Sequence, residues 1–200
     1  MMVIRAQPEH ADALTQITIA AKRHWNYPEH WIQTWLPLLT ISPEYISENE
    51  VWIKLIEGKP AAYYSLKQDA NELWLDNLWV LPEHMGKGIG RELFAHALER
   101  SRKFRLSTLK IEADPNAESF YQHMGARRVG EHDGEVDGQP RILPVMEIDL
   151  LVFEKGKSIV LQERADGSSD DSKQARDACE PNGELASRKQ PPSPWSSVSQ

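Results

Sequence analysis

The stretch that most constrains this chain is DNLWVLPEHMGKGIGRELFAHAL, residues 76–98. An apolar run with β character ends at Pro82, and glycines follow at positions 86, 88 and 90. Ile89, Leu93 and Ala97 then recur at i, i+4 and i+8, the spacing of one helix face. A strand handed to a helix through glycines makes an anion site. The first helical N–H groups have no intrahelical partner, and the helix dipole adds partial positive charge there. Glycine also lets a diphosphate approach the backbone with no Cβ in the way. The spacing rejects two familiar loops. No Lys-Ser/Thr pair follows the glycines, as a triphosphate loop needs, and the G-x-G-x-x-G of a dinucleotide fold is not met. The N-terminus also lacks the βαβ start of a dinucleotide fold.

The elements around this stretch alternate. MVIRA reads as a strand, and EHADALTQITIAAKRHW as a helix with Leu14, Ile17 and Ala21 on one face. PEHWIQTWLPLLT is a second helix that Pro37 is expected to break. EVWIKLIE and AAYYSL, joined by GKP, form a hairpin. In NELWLDNLWV strict alternation puts Leu73, Leu75, Asn77 and Trp79 on one face, and Trp74, Asp76, Leu78 and Val80 on the other. STLKIEAD, PNAESFYQHMG, ARRVGEH and LPVMEIDL give strand, helix and two closing strands, the last two joined by a Gly-rich loop. The fold class is α/β in the α+β sense: one domain over 1–150 with about seven strands, mixed but mostly antiparallel, and about four helices. Residues 151–164 read as a further strand or a linker. Residues 165–200 are too poor in apolar groups to offset their ordering entropy and read as a disordered polar tail.

Two linked motifs resemble the GNAT superfamily of N-acetyltransferases. The first is the family's Q/R-x-x-G-x-G/A loop, which Met85, Gly86, Lys87, Gly88, Ile89 and Gly90 fill with Met85 in the Gln/Arg place. The second is the family's P-N-A-x-x-F-Y-x-x-x-G-F, met by PNAESFYQHMGA with Ala126 at the final Phe. The resemblance spans about residues 1–150. It implies acetyl-CoA as co-substrate and transfer of its acetyl group to a primary amine by direct attack in a ternary complex. It also implies a diphosphate held mainly by the loop's backbone N–H groups, with Lys87 and Arg91 flanking. The pantetheine arm would lie along the backbone at Leu78, Trp79 and Val80, with Asn116 as a further contact; from the residues alone either Asn116 or Asp114 caps the helix that follows.

The same resemblance assigns the chemistry. The amine must lose a proton and the departing thiolate must gain or share one. Tyr121, directly after Phe120, is the expected acid, and Asp76, on the strand feeding the loop, the expected base or amine-orienting group. The acceptor groove in this fold is built by RHWNYPEHWIQTW and GEHDGEVDGQPR. Trp25 and Tyr27 are its candidate substrate contacts, an aromatic wall suited to an amine cation. Two other readings share the fold: a CoA-binding interaction module without turnover, and transfer of a different acyl group. The acceptor is a small amine or a peptide, and the chain a monomer or homodimer.

The formal net charge of -7 disfavours nucleic acid and anionic membranes as main partners. Cys179 is the single cysteine, so neither an intramolecular disulfide nor a Cys-rich metal site is expected. The seven histidines show no H-x-x-x-H or H-E-x-x-H pair, and no metal is expected. With no signal-like N-terminus and no long apolar run, the expected location is the cytoplasm.

Overall fold

A computed structural model of the chain describes residues 2–151. The expectations for 151–164, Leu151 apart, and for 165–200 lie outside the described residues. In chain order the elements are β1 (Met2–Arg5), α1 (Ala11–His24), α2 (Glu29–Leu39), α3 (Pro43–Glu48), β2 (Glu50–Ile56), β3 (Lys59–Asp69), β4 (Glu72–Val80), α4 (Ile89–Ser101), β5 (Thr108–Glu112), α5 (Glu118–His123), β6 (Arg127–Val136) and β7 (Gln139–Asp149). The strands form one seven-stranded sheet in the order β1-β2-β3-β4-β5-β7-β6. Every neighbouring pair is antiparallel except β4 and β5.

Helices cover both faces, as a sheet with apolar residues on either side requires. On one face α4 lays Leu93, Phe94, Ala97 and Leu98 against Tyr64, Leu66, Leu73 and Leu75. On the other, Leu14 and Ile17 of α1 and Ile46 of α3 meet Val51, Ile53 and Tyr63. Ile32, Trp35 and Leu39 of α2 close over Val136 at the end of β6.

Three expectations are corrected. There are five α-helices among the described residues rather than four. The added one, α3, has Pro43 in its first turn, and the Ser42 side chain accepts from the Tyr45 N–H at 3.1 Å. Pro37 does not break α2, which runs through it and ends two residues on. So close to the C-terminus little helix remains to be disrupted. The Gly-rich loop between the last strands is instead strand: β6 and β7 pair as far as Val136 and Gln139 and turn on Asp137 and Gly138. Both turn residues have positive φ, 51° and 71°, as a two-residue hairpin turn demands.

The fourth correction positions the site. On β4, Leu75 pairs with Leu66 and Asn77 pairs with Ser65, so Asp76 is an extra residue with no counterpart in the register. This β-bulge reverses the parity of the strand. Leu73 and Leu75 before it, and Leu78 and Val80 after it, all lie in the α4 core. Trp79 packs in the opposite core. Strict alternation therefore fails at Asp76. Beside the bulge the sheet also opens: Trp74 and Lys110 are the only register pair between β4 and β5.

Candidate active site

Where β4 and β5 part, the described residues enclose a cleft of about 400 Å³. β4 supplies residues 75–80, and α1 contributes Ala21, Lys22 and Trp25. The loop after β4 supplies Met85, Gly86 and Gly88, and α4 begins at the cleft with Gly90 and Arg91. The β5–α5 connection brings Asp114, Asn116 and Ala117, and α5 brings Phe120 and Tyr121. Arg141 and Leu143 of β7 close it.

One end is a cradle of backbone. Gly86 and Gly88 have φ of 73° and 81°, a left-handed conformation that L side chains resist. Gly88 caps α4, and the first intrahelical bond seen there runs from Glu92 N–H to Gly88 C=O at 3.0 Å. The amides before Glu92 are left for another acceptor. A Cβ at Gly86 or Gly88 would enter open space, the space a ligand would fill. Gly90 differs, since its Cβ would lie 3.5 Å from the Phe120 ring. Met85 packs partly buried against the α4 core and lines the cleft. Lys87 is exposed and Ile89 is core, and neither lines the cleft. Beyond Trp74, β4 has no register pair on its β5 side, so the backbone of Leu78, Trp79 and Val80 borders the opening.

In the middle stands Asp76, half-buried on its bulge. Its Oδ2 accepts from the Tyr45 hydroxyl and from Asn77 Nδ2, the latter at 3.2 Å. Tyr45 is held in turn by the Ser65 hydroxyl at 2.7 Å and by Asn77 Nδ2 at 2.9 Å. Burial, then the Asp76 charge, pushes the Tyr45 phenol far above its usual range, so Tyr45 stays a donor to the carboxylate. Tyr121 lines the same cleft and is 6% exposed. Burial, with the Asp114 charge second, raises its phenol well above 10.

The other end holds a cluster that the sequence reading did not assemble. Asp114 Oδ2 accepts from Lys22 Nζ at 2.5 Å and Arg141 Nη2 at 3.0 Å. Its Oδ1 accepts from the Tyr27 hydroxyl at 2.9 Å and from both the Asn116 N–H and Nδ2 at 3.0 Å. Asp114 rather than Asn116 is therefore the cap of the turn before α5. Burial alone would raise the Asp114 carboxyl, but Lys22 and the hydrogen bonds hold it below its usual value. Burial lowers Lys22 to about 8 even beside Asp114, with Arg141 pushing the same way. Tyr27 stands under this cluster and does not line the cleft: its ring lies 4.9 Å from Lys22 Nζ and 5.6 Å from the Arg141 guanidinium. The aromatic wall expected to receive an amine is filled by the protein's own cations. Trp25 lines the cleft.

A sequence signal for Lys22 exists. It stands eight residues after Leu14 and four after the buried Thr18, on the inward stripe of α1. A lysine at such a position has to find a partner or a cavity.

Among the described residues no group of three or more His, Cys, Asp or Glu is placed to hold a metal ion, and no helix is long and apolar enough to cross a membrane.

Residues 12–126 match the family model described as the acetyltransferase (GNAT) family. An uncharacterized N-acetyltransferase from the pepI 3′ region of Lactobacillus delbrueckii subsp. lactis is 28% identical over 88 residues, or 38% of this chain. The match spans only about half, 51%, of that relative. Among solved structures, a GCN5-related N-acetyltransferase from Rhodopseudomonas palustris aligns with TM-score 0.64 and 19% identity, covering 74% of this chain and 94% of its own. The PaiA N-acetyltransferase of Thermoplasma acidophilum, solved with coenzyme A, aligns with TM-score 0.58 and 19% identity over 74% and 98%. A putative acetyltransferase of Salmonella typhimurium, solved with acetyl-CoA, aligns with TM-score 0.57 and 19% identity over 90% and 99%. At these identities the likeness is one of fold.

Proposed function

The chain belongs to the GNAT family of acetyltransferases, and on that premise we propose that it transfers the acetyl group of acetyl-CoA to a primary amine by direct attack in a ternary complex. The observation that carries this reading is the bulge. Asp76 is the extra residue of β4, placed where β4 and β5 separate and in the same cleft as Tyr121. A carboxylate and a protonated phenol on one cleft are what the reaction requires.

The glycine cradle and the orphan amides opening α4 suit a diphosphate, with Arg91 at its rim and Lys87 outside it. The free edge of β4 at Leu78, Trp79 and Val80 suits the amides of a pantetheine arm, with Asn116 across the cleft. Met85 adds apolar surface where the family motif has a charged or amide side chain. The cradle then relies on backbone donors.

Asp76 takes a proton from the incoming ammonium, and Tyr45 and Asn77 hold the carboxylate in place. The neutral nitrogen attacks the thioester carbonyl, the new C–N bond forms and the C–S bond breaks. Tyr121 donates its hydrogen to the departing sulfur, the second proton shed by the acylated nitrogen returns to the Tyr121 oxygen, and Asp76 releases its proton to water. The phenol keeps its proton at neutral pH, so it is charged for this task at each turnover.

A thiol-release assay with acetyl-CoA over a panel of amines and peptides tests the reading. Turnover of at least one amine is expected, and Asp76→Asn should fall about 10²- to 10⁴-fold in kcat. Stabilisation by acetyl-CoA with no thiol release from any amine would instead leave a CoA-binding module. Preference for propionyl- or succinyl-CoA would correct the acyl group.

A further inference from the structure

We propose that the acceptor amine carries a carboxylate, which Lys22 and Arg141 receive at one end of the cleft while Asp76 receives the amine. The proposal rests on the acetyl-transfer reading above and adds the class of substrate.

The argument begins with a mismatch of charge. Lys22 and Arg141 both approach the same oxygen, Asp114 Oδ2, at 2.5 and 3.0 Å. Two cations share one carboxylate. That carboxylate is fully engaged, since its other oxygen already accepts from Tyr27 and Asn116. An ammonium has three donors and a guanidinium five, so both cations have hydrogen-bonding capacity beyond the bond each makes to Asp114.

The direction of that spare capacity is set by what covers the cations. The Trp35 ring lies 4.8 Å from Lys22 Nζ and 4.9 Å from the Arg141 guanidinium. Tyr27 covers both as well, and Trp79 lies 5.8 Å from Lys22. Aromatic faces screen the cations but accept no strong hydrogen bond. Lys22 and Arg141 meanwhile both line the cleft, with side chains 4% and 12% exposed. Burial, with Arg141 alongside, lowers Lys22 to about 8 despite Asp114.

The other charges of the cleft fall into place around this surplus. The Glu112 carboxylate is hydrogen-bonded to the His132 ring. Asp76 lines the same cleft as Trp79 and Lys22, and Trp79 connects to it through Asn77: the indole N–H donates to Asn77 Oδ1 at 2.8 Å, and Asn77 Nδ2 donates to Asp76. The cleft therefore presents a carboxylate at the bulge and, beside Trp79 and Trp35, two cations that share the single carboxylate of Asp114. A ligand with an ammonium and a carboxylate matches both poles. A diamine would bring its second charge against Lys22 and Arg141.

Matched pairs decide the matter. Each common amino acid and its carboxamide is assayed with acetyl-CoA for thiol release. The acid of the preferred pair should show roughly 10- to 100-fold higher kcat/KM than its amide, chiefly through KM. Arg141→Gln should abolish that advantage, and Arg141→Lys should restore part of it. Binding is measured separately by intrinsic tryptophan fluorescence, with N-acetyl amino acids and N-acetyl amino acid amides as probes. The same preference for the acid, lost in Arg141→Gln, is expected. Equal turnover of acid and amide, a preference for diamines, or equal binding of the two probes overturns the proposal. Turnover of amines without any acid preference would leave the acetyl-transfer reading standing alone. Acid-selective binding with no amine turned over would leave the carboxylate subsite and remove that reading.

Discussion

At the scale of single residues the cleft depends on which groups keep their protons. Tyr121 is buried and its phenol is raised by burial and by Asp114, so it is a donor throughout the neutral range. Tyr121→Phe removes only the hydroxyl from a ring packed against Phe94 and Phe120. The expected result is a kcat lower by about 10²- to 10⁴-fold, with the dissociation constant for acetyl-CoA changed less than about threefold. Stopped-flow turnover and calorimetric titration would check the two halves, and an unchanged kcat would end the acid assignment. That Tyr121 and Asp76 share one cleft was legible in the sequence, Tyr121 from its motif and Asp76 from its place on the strand feeding the glycine loop. Tyr45 and Arg141 were not, because each reaches its partner across a long stretch of chain: 31 residues from Tyr45 to Asp76, and 27 from Asp114 to Arg141. Lys22 lies between these cases, since its place on the apolar stripe of α1 was readable and its partner, 92 residues away, was not.

At the scale of elements, the start of α4 carries two contrasts. Gly88 has φ of 81° and Gly90 does not share that left-handed conformation. Gly88→Ala therefore strains the backbone by about 1 kcal/mol and puts a methyl into the cradle. Gly90→Ala meets Phe120 at ordinary contact distance and gains about 0.5–1 kcal/mol from helix propensity. Thermal melts should move in opposite directions for the two, and only Gly88→Ala should weaken acetyl-CoA binding by tenfold or more, at about 1.4 kcal/mol per tenfold. The second contrast is the ion pair that joins β2 to α4. Lys54 is fully buried, while the Glu92 side chain is 48% exposed. Glu92→Ala strands a buried ammonium and should cost about 3 kcal/mol in urea unfolding, whereas Lys54→Met leaves a carboxylate that water can reach and should cost under about 1 kcal/mol. Equal losses would show that the pair is not organised by burial. The bulge of β4 was also readable in hindsight: the inward aliphatics stand at 73, 75, 78 and 80. Their spacing of two, three and two residues marks one extra residue. The α3 helix and the long β6–β7 hairpin were less legible, because their signals are a single cap and a Gly-containing strand rather than a sustained period.

At the scale of the whole molecule, stability in alkali sets one lysine against five tyrosines. Lys22 falls from 10.5 to about 8 on folding. Between those values the unfolded chain holds a proton that the native chain has released, so this group makes stability rise with pH. Tyr27, Tyr45, Tyr63, Tyr64 and Tyr121 are all raised above 10.0, with burial the first cause in each. Their contribution is whole below about pH 10, where the unfolded phenols are still protonated. Above it the unfolded chain ionises and the native chain does not, so stability falls. Up to about 1.4 kcal/mol per pH unit is lost for each phenol that stays protonated. Five falling contributions outweigh one rising contribution. Urea unfolding should therefore show a shallow rise from about pH 8 toward pH 10 and a steep fall beyond. Other surface groups titrate in the same range, and they cancel when wild type is compared with a variant at each pH. Lys22→Met should remove the shallow rise and leave the fall. Tyr64→Phe should leave the rise and reduce the slope of the fall by about 1.4 kcal/mol per pH unit at most. A wild-type stability that stays flat through the ionisation of free tyrosine would mean that these phenols reach water in the native state, and with it the donor role of Tyr121 would lose its physical basis.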